Sequence, residues 1–231
     1  MERLVRHFQE ELAALQERLL TMGGLAEARV RDAVEGLTSR DTTRIDRVLT
    51  CDEPINELHV EIDDRCFKLL ALHQPMAADL RTIVACVKIN TDLERVGDLA
   101  VNIAEASERY LRHAPVKPLV DLPRMGEIAQ RMLRDALDAF VRHDLVLAEV
   151  VLAADDELDA LKSRIFRDLV ACMVDAPAAI EPALDLVLIS RHLERIGDHA
   201  TNIAEMVYYA ATGQYCSERD SGGGSSSETS T

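Results

Sequence analysis

The chain has 231 residues, of which 48% are hydrophobic, so it is long enough to bury the core of one or two domains. Its formal net charge is −15, from 41 acidic and 26 basic side chains, with no Trp and 3% aromatic residues. Nucleic-acid binding is therefore not expected, because phosphate backbones are bound by Lys and Arg and unpaired bases stack on aromatic rings.

The first predicted element is an amphipathic helix at the N-terminus. Its apolar residues alternate spacings of four and three, which is typical of a helix that buries one face; they are Phe8, Leu12, Leu15, Leu19 and Met22. The segment is charged and has no continuous apolar run, so it is not predicted to be a signal peptide. No stretch of about 18 apolar residues predicts a membrane span, and a soluble, cytoplasmic protein is expected. The five Cys include no CxxC and are expected to be reduced thiols.

Six long helices are predicted along the chain, over residues 2–39, 42–72, 76–112, 121–142, 145–173 and 178–212. Asp41 and Asp144 are predicted N-caps of the second and fifth helices. Pro54 lies inside the second helix and is predicted to bend it.

The third and sixth helices carry nearly the same sequence. LERVGDLAVNIAE at 93–105 and LERIGDHATNIAE at 193–205 agree at ten of thirteen positions, which indicates an internal duplication. The offset is 100 residues here and 103 in the helices before, so the copies are two three-helix units. The predicted fold is all-α, with two pseudo-symmetric three-helix bundles at 1–113 and 118–212 and a disordered Gly/Ser-rich tail at 213–231.

Each copy carries acidic residues along one helix face. Glu94 and Asp98 are four residues apart, as are Glu194 and Asp198, and this spacing places each pair on the same side of a helix. Adjacent carboxylates on a helix repel each other by about 0.2–0.5 kcal/mol per pair. A positively charged group is therefore expected beside them.

The second helix of each unit carries a matching pair of oxygen ligands: Asp52 and Asn56 in the first unit, Asp155 and Asp159 in the second. Antiparallel helices packed about 8–10 Å apart bring such pairs face to face with the acids of the third helix. Oxygen donors suit a hard or borderline cation, so a metal site is predicted in each unit. In the alternative interpretation the acids form a solvated face, or pair with arginines on the same helices, namely Arg95, Arg191 and Arg195.

Other polar residues on these helices are weaker candidates. A glycine inside a helix costs about 1 kcal/mol relative to Ala, so Gly97 and Gly197 favour close approach of a neighbouring helix. His199 is five residues from Glu194 and points off the acidic face, so a surface or packing role is expected. Asn102 and Asn202 either hydrogen-bond the ligands or contact another helix.

Four segments resemble the PhoU family of phosphate transport accessory and regulatory proteins: TMGG at 21–24, QPMAADLR at 74–81, LERVGD at 93–98 and LERIGD at 193–198. The resemblance covers about residues 4–215. The family's acidic motif falls on the acidic pairs named above, and less well on Asp52 and Asn56, since a neutral Asn is a weaker ligand.

The resemblance implies a fold of two three-helix bundles and, in some members, clusters of iron, zinc or manganese ions on the acidic motifs. It implies negative regulation of the phosphate-starvation regulon, through contacts with the sensor histidine kinase and the ATPase subunit of the phosphate ABC transporter. We also expect a homodimer that reaches the membrane only through its partners.

The sequence contains no nucleophile paired with a base, no Gly-rich phosphate loop and no nucleotide motif, so a non-enzymatic adaptor is predicted. Three alternatives stay open. One is a di-metal carboxylate redox protein, although the Glu-x-x-His pair usual in that class does not occur. The others are a regulator of another ion transporter and a structural bundle whose acids bind nothing.

Overall fold

The computed structural model describes residues 2–50, 53–117 and 119–214, and all regular elements in these ranges are helical. The helices are α1 (Glu2–Ser39), α2 (Thr42–Thr50), α3 (Glu53–His73), α4 (Ala78–Leu111), α5 (Asp121–Arg142), α6 (Leu145–Asp175) and α7 (Ile180–Thr212), with a 3-10 turn at Pro177–Ala179. The predicted all-α class is confirmed. None of the described helices is long and apolar enough to cross a bilayer.

The second predicted helix corresponds to α2 and α3 together, with residues 51 and 52 between them outside the described residues. Pro54 is the second residue of α3. Proline fits the first turn of a helix because the amides there have no intrahelical acceptor. The predicted tail lies, from residue 215 onward, outside the described residues.

Both predicted N-caps are confirmed. Asp41 Oδ1 accepts a hydrogen bond of 3.0 Å from the amide two residues ahead, and Asp144 Oδ1 does the same at 3.0 Å. The residues before them, Arg40 and His143, both have left-handed backbone conformations, with φ of 54° and 55°. The same tight turn therefore ends the first helix of each repeat and starts the next.

The helices form two bundles that share one core. The first unit consists of α1 to α4 and the second of α5 to α7; α4 packs against α7, and α1 against α5. A Cβ placed on Gly23 would collide with Leu137, and one placed on Gly126 would stand 3.1 Å from Val34. Gly23 matches Gly126 and Val34 matches Leu137 at the repeat offset of 103 residues, so the two contacts are equivalent halves of one interface. The units are therefore related by a pseudo-twofold axis between α1 and α5.

The described cysteines are free thiols. Cys66 and Cys86 are buried and Cys172 is partly exposed, whereas Cys51 and Cys216 lie outside the described residues. Burial raises the pKa of Cys66 to about 12, so this thiol is protonated at neutral pH. The two buried thiols are core residues.

Candidate functional site

The acidic face of each unit lies where its last helix packs on the helix before. A Cβ on Gly97 of α4 would stand 3.1 Å from Ile55 of α3, and one on Gly197 of α7 would collide with Leu158 of α6. Ile55 and Leu158 are matched residues of the repeat and are 2% and 0% exposed. The expected close approach at both glycines is confirmed. It holds the neighbouring acids beside the line of contact between two helices.

In the second unit, four carboxylates come together along this contact. We call Asp155 and Asp159 of α6, with Glu194 and Asp198 of α7, the acidic groove. Asp155 Oδ1 lies 3.5 Å from the position of a Cβ on Gly197. Burial, and then the charges of the other three carboxylates, raise the pKa of Asp155 above its ordinary value. Burial and the charges of Glu194 and Asp159 likewise raise the pKa of Asp198. These acids therefore repel one another in a partly desolvated place.

Lys162 of α6 reaches into the acidic groove. Its Nζ donates hydrogen bonds of 2.7 Å to both Asp159 Oδ1 and Glu194 Oε1, and these bonds raise the pKa of Lys162 to about 12. Its side chain is 32% exposed and is carried on a flexible stem, so the ammonium can move away from the groove. Asp155 and Asp198 form no ion pair with any residue that the structure describes.

In the first unit, the guanidinium of Arg95 pairs with the acids. Arg95 Nε is 3.4 Å from Glu94 Oε2, and its Nη1 is 3.3 Å from Asp98 Oδ2. Arg29 of α1 packs near Gly97: it is 8% exposed, and its Nη1 lies 3.7 Å from the position of a Cβ on that glycine. The pairing of Arg95 with these acids, which the alternative interpretation expected, is present. Across the described part of the chain, the other two proposed partners, Arg191 and Arg195, form no ion pair with an acid.

The position of Arg29 has a counterpart of different chemistry in the second unit. The repeat offset of 103 residues matches Arg29 with Met132 of α5. Met132 Cε lies 3.6 Å from the position of a Cβ on Gly197, and Arg29 Nη1 lies 3.7 Å from the corresponding position on Gly97. One unit thus presents a charge to its last helix and the other presents a thioether.

The two ligands predicted on the second helix of the first unit differ from those of the second unit. Asp52 lies outside the described residues, and Asn56 is a neutral, exposed residue of α3. In residues 2–50, 53–117 and 119–214, no three His, Cys, Asp or Glu side chains converge closely enough to hold a metal ion as they stand. By donor chemistry the acidic groove fits a hard cation, since it carries four carboxylates and one displaceable ammonium. The first unit fits less well, because Asn56 is neutral and the guanidinium of Arg95 already pairs with Glu94 and Asp98.

His199 and Asn202 serve the contact between the units. His199 Nδ1 is 2.8 Å from Asp92 Oδ1 of α4, and Asn202 Nδ2 donates to the same oxygen at 3.3 Å. The expected packing role of His199 is confirmed, and Asn202 makes an inter-helix contact.

The sequence interpretation did not identify Lys162, Arg29 or Met132 as site residues. The sequence could have pointed to Lys162, because it is one of four lysines in the chain and follows Asp159 by three residues. The sequence also pointed to Arg29 and Met132, since aligning the two repeats at their offset shows Arg in one copy and Met in the other. The sequence did not indicate which sides of α1 and α5 face the acidic helices.

The sequence matches the protein family described as "PhoU domain" twice, over residues 19–107 and 122–207. A phosphate-specific transport system accessory protein PhoU homolog of Caulobacter vibrioides strain NA1000 is 40% identical over 214 residues, which are 92% of this chain and 93% of the relative. A homolog of the same description from Zymomonas mobilis is 37% identical over 218 residues, 94% of this chain and 92% of the relative.

Two solved structures have the same fold. The crystal structure of PhoU from Pseudomonas aeruginosa superposes with a TM-score of 0.86 at 39% identity, covering 90% of this chain and 100% of that one. The phosphate transport system regulatory protein PhoU from Streptococcus pneumoniae gives a TM-score of 0.83 at 30% identity, covering 90% and 98%.

Proposed function

Because the chain belongs to the PhoU family, we propose that it is a non-enzymatic negative regulator of phosphate uptake and of the phosphate-starvation regulon. The observation that carries this proposal is the family match across both repeats, at 19–107 and 122–207. Relatives that share more than nine tenths of the chain are named for the phosphate-specific transport system, which supports a role in regulating phosphate transport.

The regulator acts in this proposal as a cytoplasmic adaptor between the ATPase subunit of the phosphate ABC transporter and the sensor histidine kinase. A single continuous core joins both units, so each can present its outer surface to a different partner. Large apolar side chains are exposed on α6 and α7, among them Phe166 (53%), Val174 (77%) and Leu184 (51%). Apolar groups of this kind supply contact area for protein partners. A homodimer that meets the membrane only through its partners completes the proposal.

Metal binding is assigned in this proposal to the acidic groove of the second unit. Its four carboxylates, Asp155, Asp159, Glu194 and Asp198, would hold a divalent or trivalent ion of iron, zinc or manganese. The bound ion supplies positive charge between α6 and α7. The raised pKa of Asp155 and of Asp198 supports this assignment, since it reflects burial and then repulsion between the acids, and a cation would relieve that repulsion.

A reporter for phosphate-scavenging genes tests the regulatory role. In a strain that lacks this gene the reporter should be active in phosphate-rich medium, and a plasmid copy of the full chain should silence it. Affinity capture from phosphate-replete cells should recover the transporter ATPase or the kinase. A reporter that stays silent in the deletion strain contradicts the regulatory role, and capture of a cation carrier in place of both partners favours a regulator of another transporter.

Elemental analysis of protein purified without chelator tests the metal site. The wild-type chain should carry iron, zinc or manganese, and an Asp155→Ala/Asp159→Ala double variant should lose it. Glu10→Ala is the matched control, since it removes a carboxylate from the exposed surface of α1. Equal metal content in the wild type and the double variant would rule out the acidic groove as the site.

A further inference from the structure

We propose that the second unit carries a docking groove for one amphipathic helix of a partner protein, a helix whose apolar residues are followed by acidic residues at one end. We call this surface the apolar groove; it lies between α6 and α7. Six exposed apolar side chains border it: Phe166, Val170 and Val174 of α6, and Ile180, Leu184 and Leu188 of α7. The inference rests on the adaptor role proposed above and states what kind of segment a partner contributes.

The spacing of these side chains fits a bound helix. On each of the two helices the three residues recur at four-residue intervals, so each row follows one side of its helix for about 12 Å. The helices are antiparallel, because the 3-10 turn at Pro177–Ala179 joins them and Lys162 of α6 bonds Glu194 of α7 farther along. The rows therefore lie side by side. Amphipathic helices bind such surfaces through apolar residues that recur every three or four positions.

A cleft of about 390 Å³ lies at the end of the apolar groove that is farther from the turn, and Phe166, Val187, Ser190 and Arg191 are among the residues that line it. Phe166 is 53% exposed beside this cleft. Ser190 donates a hydrogen bond of 2.8 Å to the carbonyl of Val187 on its own helix. The cleft can therefore receive an apolar side chain from a partner next to the guanidinium of Arg191.

The matched place in the first unit is closed by the chain itself. Asn90, which matches Ser190, is fully buried and donates hydrogen bonds of 2.9 Å to Asp63 Oδ1 and to the carbonyl of His59. Asp63 matches Phe166, so a polar contact between the helices stands where the second unit has the cleft. The rows differ as well, since the first unit has Ala71 and Lys88 where the second has Val174 and Leu188. The apolar groove is therefore a feature of the second unit alone.

The charge at the cleft end of the apolar groove is positive. Arg191 and Arg195 continue the α7 row beyond Leu188 and are both exposed. Within residues 2–50, 53–117 and 119–214, neither of them forms an ion pair with an acid. Burial, and then the charges of Arg195, Arg191 and Arg109, lower the pKa of His192. An acidic residue of a partner would find uncompensated positive charge here.

The opposite end of the apolar groove, beside the turn, has the opposite charge. Asp175 and Glu181 are exposed there. At the cleft end, Lys162 bonds Asp159 and Glu194 and so partly neutralises the nearest carboxylates of the acidic groove. The bound helix should therefore place its acids beside the arginines and its apolar or basic residues beside the turn.

These charges favour the helix of another protein over two other occupants. In an isologous contact between two copies of the chain the same surface meets itself, so arginines would face an arginine-bearing surface. An anionic bilayer would attract apolar and basic groups, but it would repel a chain whose net charge is −15. An acidic amphipathic helix matches both the apolar rows and the arginines.

Photo-crosslinking of the full chain in phosphate-replete cells identifies the occupant. A benzophenone amino acid replaces Phe166 in one variant and Phe67, the 63% exposed phenylalanine of the first unit, in the control. Mass spectrometry of the product from the Phe166 variant should find a helix-forming segment of another protein, with apolar residues every three or four positions and acids at one end. The control should not yield this segment.

Four results would overturn the proposal: a crosslink to this chain's own sequence, a crosslink to lipid, a segment without acids, or no crosslink. An acidic helix from a protein outside phosphate transport and its signalling would support the apolar groove and contradict the partners proposed above. The reporter for phosphate-scavenging genes decides the regulatory role independently.

Binding of a synthetic peptide with the crosslinked sequence then tests the chemistry of the apolar groove. Leu184→Glu and Arg191→Glu should each weaken binding by the full chain at least about tenfold, whereas Phe67→Ala should leave it unchanged. A peptide with Lys in place of its acids should bind Arg191→Glu better than it binds the wild type. All three positions are exposed, so the variants should keep the wild-type Tm. Wild-type affinity in Leu184→Glu, or no recovery with the Lys peptide, would overturn the proposal.

Discussion

The last helix of the first unit and that of the second carry the same motif, with an acid on each side of a buried glycine. Each glycine packs on a matched aliphatic residue, Ile55 in one unit and Leu158 in the other. The charges around the two motifs differ. In the first unit one guanidinium, that of Arg95, pairs with two carboxylates. In the second unit four carboxylates share one ammonium, that of Lys162.

This difference separates what a duplication keeps from what it changes. Packing at the glycine is constrained by volume on both sides, so substitutions there are costly in either copy. The charge beside the acids comes from side chains outside the glycine contact, Arg95 in the first unit and Lys162 in the second, and can change without disturbing that contact. The units therefore share a geometry while their electrostatics have diverged.

Truncating the aliphatic partner tests the shared packing and should have the largest effect. Leu158→Ala and Ile55→Ala each remove a buried side chain beneath a glycine, and each should lower the free energy of unfolding by about 2–5 kcal/mol. Urea unfolding of the metal-free chain measures both. Losses that differ by more than about 2 kcal/mol between the two variants would show that the packing has also diverged.

Filling the space at the glycine tests the same contact from the opposite helix. Gly97→Val and Gly197→Val should each lower the free energy of unfolding by about 1–3 kcal/mol, because the new side chain meets Ile55 or Leu158. Gly24→Ala is the matched control, since no atom lies within 4 Å of a Cβ placed there. This control should raise stability by about 0.5–1 kcal/mol through helix propensity alone. A neutral Gly197→Val would contradict the close approach of α6 and α7.

The duplication explains how much of this arrangement could be predicted from the sequence. Comparing the two copies locates the acidic motif, the mid-helix glycines and the caps Asp41 and Asp144, because each of these is a local feature repeated at a fixed offset. The helix contacts at Gly97 and Gly197 follow from the same repetition, since a glycine retained twice inside a helix has a steric reason.

The charges that balance the acids could not be predicted in the same way. Arg29 is one of many arginines, and its position beside Gly97 depends on which side of α1 turns toward α4, about 65 residues later in the chain. Lys162 has two acceptors, and one of them, Glu194, lies on a different helix. Tertiary packing decides both contacts, and helical periodicity alone does not indicate them.

Removing one carboxylate from each unit should change stability in opposite directions. Asp198→Asn should raise the free energy of unfolding of the metal-free chain by about 0.5 kcal/mol at neutral pH, because burial and the other acids raise the pKa of Asp198 in the folded state. Asp98→Asn should lower it by about 0.2–0.5 kcal/mol, since an exposed pair with Arg95 is lost.

The pH dependence of the Asp198→Asn variant provides the control. When folding raises the pKa of an acid, the folded protein loses stability as pH rises through that pKa. The gain in stability from Asp198→Asn should therefore shrink as pH falls from about 7 to about 4. Urea unfolding at both pH values, in chelator, measures it. A destabilised Asp198→Asn variant at neutral pH would show that this carboxylate is already compensated.

Lys162→Gln should have a small effect on stability, and the direction of that effect depends on whether a cation is present. In chelator, Lys162→Gln should lower the free energy of unfolding by about 0.2–1 kcal/mol, because an exposed ion pair to Asp159 and Glu194 is lost. In Mn²⁺ the same variant should bind the ion several-fold more tightly, since the carboxylates no longer have to release an ammonium before they bind a metal. Thermal unfolding with and without Mn²⁺ measures both effects, and Lys68→Gln, which loses a comparable pair to Asp64 on α3, should change neither the affinity nor its metal dependence. Unchanged Mn²⁺ affinity in Lys162→Gln would mean that ammonium and metal do not compete. Lys162 would then balance the charge of the acidic groove both with and without a bound ion.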